Sequence, residues 1–152
     1  MKAKLVMGAV AVLALAAAGC GGGGSKTLSK AEYSSRLNKI CADYNAKVKQ
    51  VGQPRSIAEL ASKGPQLLDE FDKAVAEAKK LKPPDELKAA ANRFLSLADQ
   101  ERALISNLID AVKKKDTQKI TELGAKVEPL DKESNNIAKN QLNAPACAAQ
   151  VG

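Results

Sequence analysis

Residues 29–51, SKAEYSSRLNKICADYNAKVKQV, carry the clearest helical pattern of the chain. Ser29-Lys30-Ala31-Glu32 fits a capping box, in which the serine caps the amide three residues on and the glutamate reaches back. Apolar residues follow at steps of three and four, which place one stripe along a helix. The stripe consists of Tyr33, Leu37, Ile40, Cys41, Tyr44, Val48 and Val51. Gly52 and Pro54 end this first predicted helix.

A second capping box, Ser56-Ile57-Ala58-Glu59, precedes a second helical stripe. The stripe runs through Ile57, Leu60, Leu67, Leu68, Phe71, Val75, Ala78 and Leu81. Gly64-Pro65 interrupts it, and because proline removes a helical hydrogen bond, we expect a kink or a short break there. Lys82-Pro83-Pro84 ends the helix, since the residue before a proline is pushed towards extended geometry.

A third stripe begins after Asp85 and Glu86, where acidic residues favour a helix start. It consists of Leu87, Ala91, Phe94, Ala98, Ile105, Leu108 and Val112. Lys113-Lys114-Lys115 closes this helix, because cations in a last turn complement the helix dipole. The same lysines could form a binding patch.

Asp116 can cap a fourth helix, which we expect to bend at Pro129. Its stripe is Ile120, Leu123, Val127, Leu130, Ser134 and Ile137. From about Asn140 the pattern fades into a tail that leads to Cys147. Four amphipathic helices joined by short turns predict an all-α, antiparallel up-down four-helix bundle. Its core should be Ala, Leu, Ile and Val, with almost no aromatic lining.

Residues 1–25 have the pattern of a bacterial lipoprotein signal and tether. Two lysines precede the apolar run LVMGAVAVLALAAA at residues 5–18, which is shorter than the roughly 20 residues of a spanning helix. Ala17-Ala18-Gly19-Cys20 resembles a lipobox, although Ala17 stands where leucine is commonest. We therefore expect cleavage before Cys20 and a lipid, including palmitate, on this cysteine. Residues 21–25, GGGGS, are typical of a flexible tether.

The predicted organisation has three parts. Residues 1–19 are a cleaved signal peptide, residues 20–27 are the lipidated Cys20 and its tether, and residues 28–152 are the helical bundle domain. Two acyl chains would hold the protein on the extracytoplasmic face of the cell membrane. The alternative is an ordinary secretory signal with Cys20 merely nearby.

Cys20 is used by the lipid, which leaves Cys41 and Cys147 as an even pair in an oxidising compartment. Such pairs usually form a disulfide; two free thiols or a metal pair are the alternatives. Pairing requires the tail from about Leu142 to turn back along the first helix, a distance that five or six extended residues just span.

The chain contains no histidine, which excludes haem ligation by histidine and histidine bases for serine or cysteine nucleophiles. We expect no cofactor, no metal and no enzymatic activity. The acidic run Asp69-Glu70-Phe71-Asp72 should point mostly outward. Glu101 lies on the inner edge of the third stripe, with Asp99 one step further out. Two buried carboxylates could do acid–base work, but a solvated or lysine-paired Glu101 is the expectation.

The net positive charge of the chain favours weak electrostatic attraction to anionic partners. Residues 1–19 hold two lysines and no acid, so the remaining chain has 22 basic and 17 acidic side chains and a net charge of +5. This charge favours weak attraction to anionic lipid or wall polymer. The few aromatic residues, two tyrosines and two phenylalanines, argue against nucleic acid. The expected partners are the membrane, through the lipid on Cys20, and an envelope protein or an anionic envelope polymer.

The chain resembles a large group of largely uncharacterised actinobacterial lipoproteins and secreted helical proteins. The motifs that carry the resemblance are Leu28-Ser29-Lys30-Ala31-Glu32-Tyr33, Ile40-Cys41-Ala42, Asn45-Ala46, Leu81-Lys82-Pro83-Pro84 and the cysteine near the carboxyl end, Cys147. The resemblance covers most of the mature chain and implies a lipobox, a helical bundle and a cysteine pair, but no activity. In many members a glycine closely follows the last cysteine, whereas here Ala148-Ala149-Gln150 intervene.

These observations predict a non-enzymatic lipoprotein with a binding or structural role in the cell envelope. The alternative is a small-molecule-binding accessory lipoprotein, for example to a transporter, which needs a cavity between helices. Several alanines could either let the helices close together or leave such a space. They are Ala74, Ala78, Ala90, Ala91 and Ala98.

Overall fold

The structure is a computed structural model that describes residues 27–148. Its helices are α1 Lys30–Val51, α2 Ile57–Lys80, α3 Asp85–Lys114 and α4 Thr117–Asn136. A π-helical segment at Ile137–Gln141 and a 3-10 turn at Pro145–Cys147 follow α4. Successive helices pack side by side in antiparallel fashion, which confirms the predicted all-α four-helix architecture. The predicted signal peptide, Cys20 and the tether up to residue 26 lie outside the described residues.

The start of α1 has the predicted capping box. The Glu32 amide donates to the Ser29 hydroxyl oxygen at 3.3 Å, and the Ser29 amide donates to the Glu32 carboxylate at 2.9 Å. At the start of α2 only half of the predicted box forms. The Glu59 amide donates to the Ser56 hydroxyl oxygen at 3.2 Å, but the Glu59 carboxylate accepts from the amide of Arg55 instead of Ser56, at 3.1 Å.

Both helices that contain an internal proline are continuous. Helix α2 passes through Pro65 and α4 passes through Pro129, so the short break considered for Gly64-Pro65 does not occur. Both prolines are exposed, and water can therefore satisfy the carbonyl that loses its helical donor. Gly64 is buried where α2 meets α3, and a Cβ added there would lie 2.6 Å from Cδ1 of Ile109.

The core consists of two clusters of buried side chains. The larger cluster joins α1, α2, α3 and the tail, and contains Tyr33, Leu37, Ala78, Leu87, Ala91, Phe94, Leu97, Ile137, Ala138, Leu142 and Ala144. The smaller cluster joins α3 and α4 through Leu104, Ala111 and Leu123. Ile57 departs from the predicted stripe because it is the first residue of α2, at the margin of the helix contact, and is 57% exposed.

Ion pairs cross between helices at the surface. They are Lys79–Asp99 at 2.8 Å, Arg102–Asp72 at 3.0 Å and Arg93–Glu133 at 2.6 Å. Each involves half-exposed side chains, for which a contribution of about 0–1 kcal/mol is typical. These pairs therefore align the helices more than they stabilise them. Within residues 27–148, no helix combines the length and the apolar character that crossing a bilayer requires.

Candidate ligand-binding cavity

The carboxyl-terminal tail is bonded to the middle of α1. Cys41 and Cys147, which are separated by 106 positions in sequence, form a disulfide with their Cα atoms 4.9 Å apart. The predicted pairing is confirmed, and the alternatives of two free thiols or a metal pair are wrong. The tail turns back along α1 as the pairing required, and the 3-10 turn Pro145–Cys147 packs on that helix.

Two asparagines of α1 hold the peptide groups of the tail. The Ala146 amide donates to Oδ1 of Asn38 at 2.8 Å, and Nδ2 of Asn45 donates to the Ala146 carbonyl oxygen at 2.8 Å. Asn38 and Asn45 stand three residues before and four residues after Cys41, so all three side chains share one face of α1. Sequence reasoning found Cys41 on this face but missed both asparagines, although their helical spacing from the cysteine was a usable signal.

A cavity of about 220 Å³ lies between the four helices and this tail. An engineered cavity of about 150 Å³ is large enough to bind benzene, so the space suits a small organic molecule. Residues of every helix and of the tail line it: Leu37, Ile40, Cys41, Tyr44, Asn45, Phe71, Ala74, Val75, Ala78, Phe94, Leu95, Ala98, Glu101, Ile105, Asp131, Ser134, Asn135, Ala146, Cys147 and Ala148. The disulfide and the asparagine contacts therefore fix one wall of the cavity.

Small and aromatic side chains together shape the apolar part of the cavity. Ala74, Ala78 and Ala98 line it. Ala91 belongs to the larger core cluster and Ala90 packs against that cluster. The predicted near-absence of aromatic lining is wrong, because the lining includes Tyr44, Phe71 and Phe94. Tyr44 and Phe71 meet edge to face with their ring centroids 5.7 Å apart. The few aromatic residues of the chain are thus concentrated around one space.

Most of the polar side chains that line the cavity, including both carboxyl groups, come from α3 and α4. Glu101 comes from α3, and Asp131, Ser134 and Asn135 come from α4. In contrast, α2 contributes only apolar side chains to the lining. No lysine or arginine is found among the described lining residues. The cavity therefore has an apolar body and an acidic end.

Glu101 is the most perturbed group of this end. Its Oε1 atom is buried and has no hydrogen-bond partner among residues 27–148. Burial, followed by the charge of Asp131, raises the pKa of Glu101 to about 7, while a hydrogen bond from Ser134 acts in the opposite direction. Burial also raises the pKa of Asp131, and burial together with the charge of Glu101 raises the pKa of Tyr44.

The expected solvated or lysine-paired Glu101 is wrong, because its side chain enters the cavity beside Asp131. Asp99 instead pairs with Lys79 at the surface. Sequence reasoning missed Asp131 as the second carboxyl group. Its position three residues before Ser134, which itself interrupts the apolar stripe of α4, was the available signal.

Only the residues of the site itself indicate what it can bind. Comparisons with protein-family models, curated proteins and solved structures find no match for this chain. In the part of the chain that the structure describes, no three His, Cys, Asp or Glu side chains are grouped closely enough to hold a metal ion. The arrangement suits the retention of a small organic molecule through apolar contact and hydrogen bonds from the ligand to carboxylates.

Proposed function

We propose that this chain is a lipoprotein, anchored through Cys20 to the extracytoplasmic face of the cell membrane, that binds a small organic molecule without transforming it. The cavity between the four helices is the observation that carries this proposal. It combines apolar walls with a few convergent polar groups, the usual composition of a ligand site. The Cys41–Cys147 disulfide supports an oxidising compartment.

The proposal assigns binding and not catalysis to the acidic end. Glu101 and Asp131 provide acceptors, but a covalent mechanism would need an activated nucleophile within reach of a base. A role beside a transporter follows naturally from a tethered binding domain, because a lipid anchor confines the loaded protein to the membrane surface. A purely structural role, through an envelope protein or an anionic envelope polymer, is the competing proposal, and it assigns no function to the cavity.

The test uses the Cys20→Ser chain without residues 1–19, the predicted signal peptide, so that no attached lipid is present and no detergent is needed that could compete for the cavity. Small molecules extracted from the same cells are added as fractions, and melting is followed by circular dichroism. A ligand that binds only the folded state raises the melting temperature. We expect at least one fraction to do so, and the bound molecule to be detectable by native mass spectrometry.

A matched pair of variants assigns the effect to the cavity. Ala98→Leu adds three carbon atoms to the cavity wall and should abolish the ligand-dependent rise. Ala103→Leu makes the same change on an exposed position of α3 and should retain it. If no fraction raises the melting temperature, or if both variants respond like the parent chain, the binding proposal is wrong and a structural role is favoured.

A further inference from the structure

We propose that the acidic end of the cavity accepts the protonated amine of a small amphiphilic ligand, while the apolar walls enclose its hydrocarbon part. Glu101 and Asp131 are the acceptors in this arrangement. The inference rests on the proposed binding function and deepens it by naming the class of ligand.

The charge of the lining favours a cation. Two carboxyl groups, Glu101 and Asp131, face the cavity, and no described lining residue carries a positive charge. An anionic ligand would be repelled by these groups, whereas an ammonium ion would offset the loss of their hydration. Oε1 of Glu101 is buried and has no hydrogen-bond partner in the part of the chain that the structure describes, whereas buried acceptors are normally satisfied. An N–H donor on the ligand would satisfy it.

Size and composition favour an organic cation over a metal ion. Hard metal cations take six or more oxygen ligands, and the described residues contain no group of three metal-binding side chains. Phe71, Ala74, Val75 and Ala78 form an apolar wall on α2. A volume of about 220 Å³, compared with about 150 Å³ for a benzene-binding cavity, leaves room for one ring and a short arm that reaches Glu101.

Binding of the amine should be linked to the protonation of Glu101. The pKa of Glu101 lies at about 7, so near neutral pH a proton and an ammonium ion compete for the same carboxyl group. The other titratable groups in the lining are Tyr44 of α1 and Asp131 of α4, and α2 contributes none. Tyr44 stays protonated in this range because its pKa is raised above 10.0. The affinity for an amine should therefore increase from about pH 6 to pH 8.

Three probes of similar size and different charge test the inference: 2-phenylethylamine, 2-phenylethanol and 3-phenylpropanoate. Dissociation constants are measured by NMR titration on the same Cys20→Ser chain without residues 1–19. At about pH 8 we expect the amine to bind at least about tenfold more tightly than the alcohol, and the propanoate to bind most weakly. In Glu101→Gln the preference for the amine should fall to about threefold or less, and its pH dependence should disappear.

The outcomes separate this inference from the function on which it rests. If the amine and the alcohol bind equally and Ala98→Leu abolishes both, the cavity binds ligands but the amine inference is wrong. Tighter binding of the propanoate, or an amine preference that Glu101→Gln leaves intact, also overturns it. If none of the three probes binds and no cell fraction stabilises the chain, the inference and the proposed function both fail.

Discussion

The Asn45 side chain donates a hydrogen bond of 2.8 Å to the carbonyl oxygen of Ala146, a residue 101 positions further along the chain. Asn38 accepts from the amide of the same residue, and the Cys41–Cys147 bond lies between the two contacts. The tail is therefore held on α1 by one covalent and two polar links. Because Ala146 and Cys147 line the cavity, these links also determine the shape of the proposed ligand site.

Replacing Asn45 with alanine should destabilise the protein. The change removes the donor to the Ala146 carbonyl, which is part-buried, and loss of such a bond costs about 0.5–2 kcal/mol. Urea denaturation measures the free energy of unfolding. Asn107→Ala is the control, because Asn107 is an exposed helical asparagine and corrects for the higher helix propensity of alanine. Equal stability of the two variants would mean that the Asn45 contact does not stabilise the tail.

Removing the disulfide should have a larger effect than removing either asparagine. The bond closes a loop of 106 residues, and the loss of a native disulfide typically costs about 2–5 kcal/mol. We expect Cys41→Ala combined with Cys147→Ala to lower the melting temperature clearly. A reductant should lower the melting temperature of the parent chain to a similar value and leave the double variant unchanged. A parent chain that melts identically with and without reductant argues against a stabilising role of the bond.

Gly64→Ala should destabilise the protein although alanine is the better helix former. The new Cβ would lie 2.6 Å from Cδ1 of Ile109. Overpacking costs about 1–3 kcal/mol, and over most of this range the cost outweighs the gain of about 1 kcal/mol in helix propensity. Gly124→Ala in α4 is the control, because no neighbouring atom of the described residues lies within 4 Å of a Cβ added there, and this variant should be stabilised. Urea denaturation of both variants decides the matter; two stabilised variants would show that Ile109 yields without cost.

Features that depend on nearby residues could be predicted from the sequence, whereas features that depend on how the helices pack together could not. The apolar stripes and the Ser29 capping box predicted four helices correctly because helix formation depends on nearby residues. The bond between Cys41 and Cys147 was predicted because these two cysteines remain when Cys20 is assigned to the lipid. Gly64-Pro65 suggested a kink or a short break, but α2 is continuous through Pro65, and Gly64 packs against Ile109 at this point.

The cavity could not be predicted because it depends on the space left between helices. Alanine stripes are compatible with close packing and with a gap, and only the relative positions of the helices distinguish the two. Glu101 and Asp131 meet across α3 and α4, 30 residues apart in sequence, and no local pattern joins them. Because the sequence was interpreted one helix at a time, Glu101 was expected in solvent or paired with a lysine, and Asp131 was overlooked.

Cys20→Ser should abolish lipid attachment, because it removes the sulfur atom that would carry the lipid at the predicted lipobox. Radiolabelled palmitate should label the parent chain and not this variant, and the variant should accumulate as unprocessed precursor or as released protein. Ser25→Ala is the control, because it changes a residue of the predicted tether, keeps Cys20 and the Cys41–Cys147 bond, and should retain the label. Persistent labelling of the Cys20→Ser chain would contradict lipidation at this position, and an unlabelled parent chain would indicate an ordinary secretory signal.

Glu101→Gln should change how stability depends on pH. In the folded state the pKa of Glu101 rises from 4.5 to about 7, so the folded chain binds the proton more tightly than the unfolded chain. The stability from this proton is fully present below about pH 4.5 and is lost as the pH rises towards 7. Glutamine does not ionise, so at about pH 8 the variant should be more stable by about 1–3 kcal/mol, a range that allows for partial solvation of the site.

Urea denaturation from about pH 4.5 to pH 8 tests this difference in stability. The control is Glu77→Gln, because Glu77 is exposed and paired with a lysine. The control should keep the slope of the parent chain; if Glu101→Gln keeps it too, Glu101 ionises without a cost in the fold.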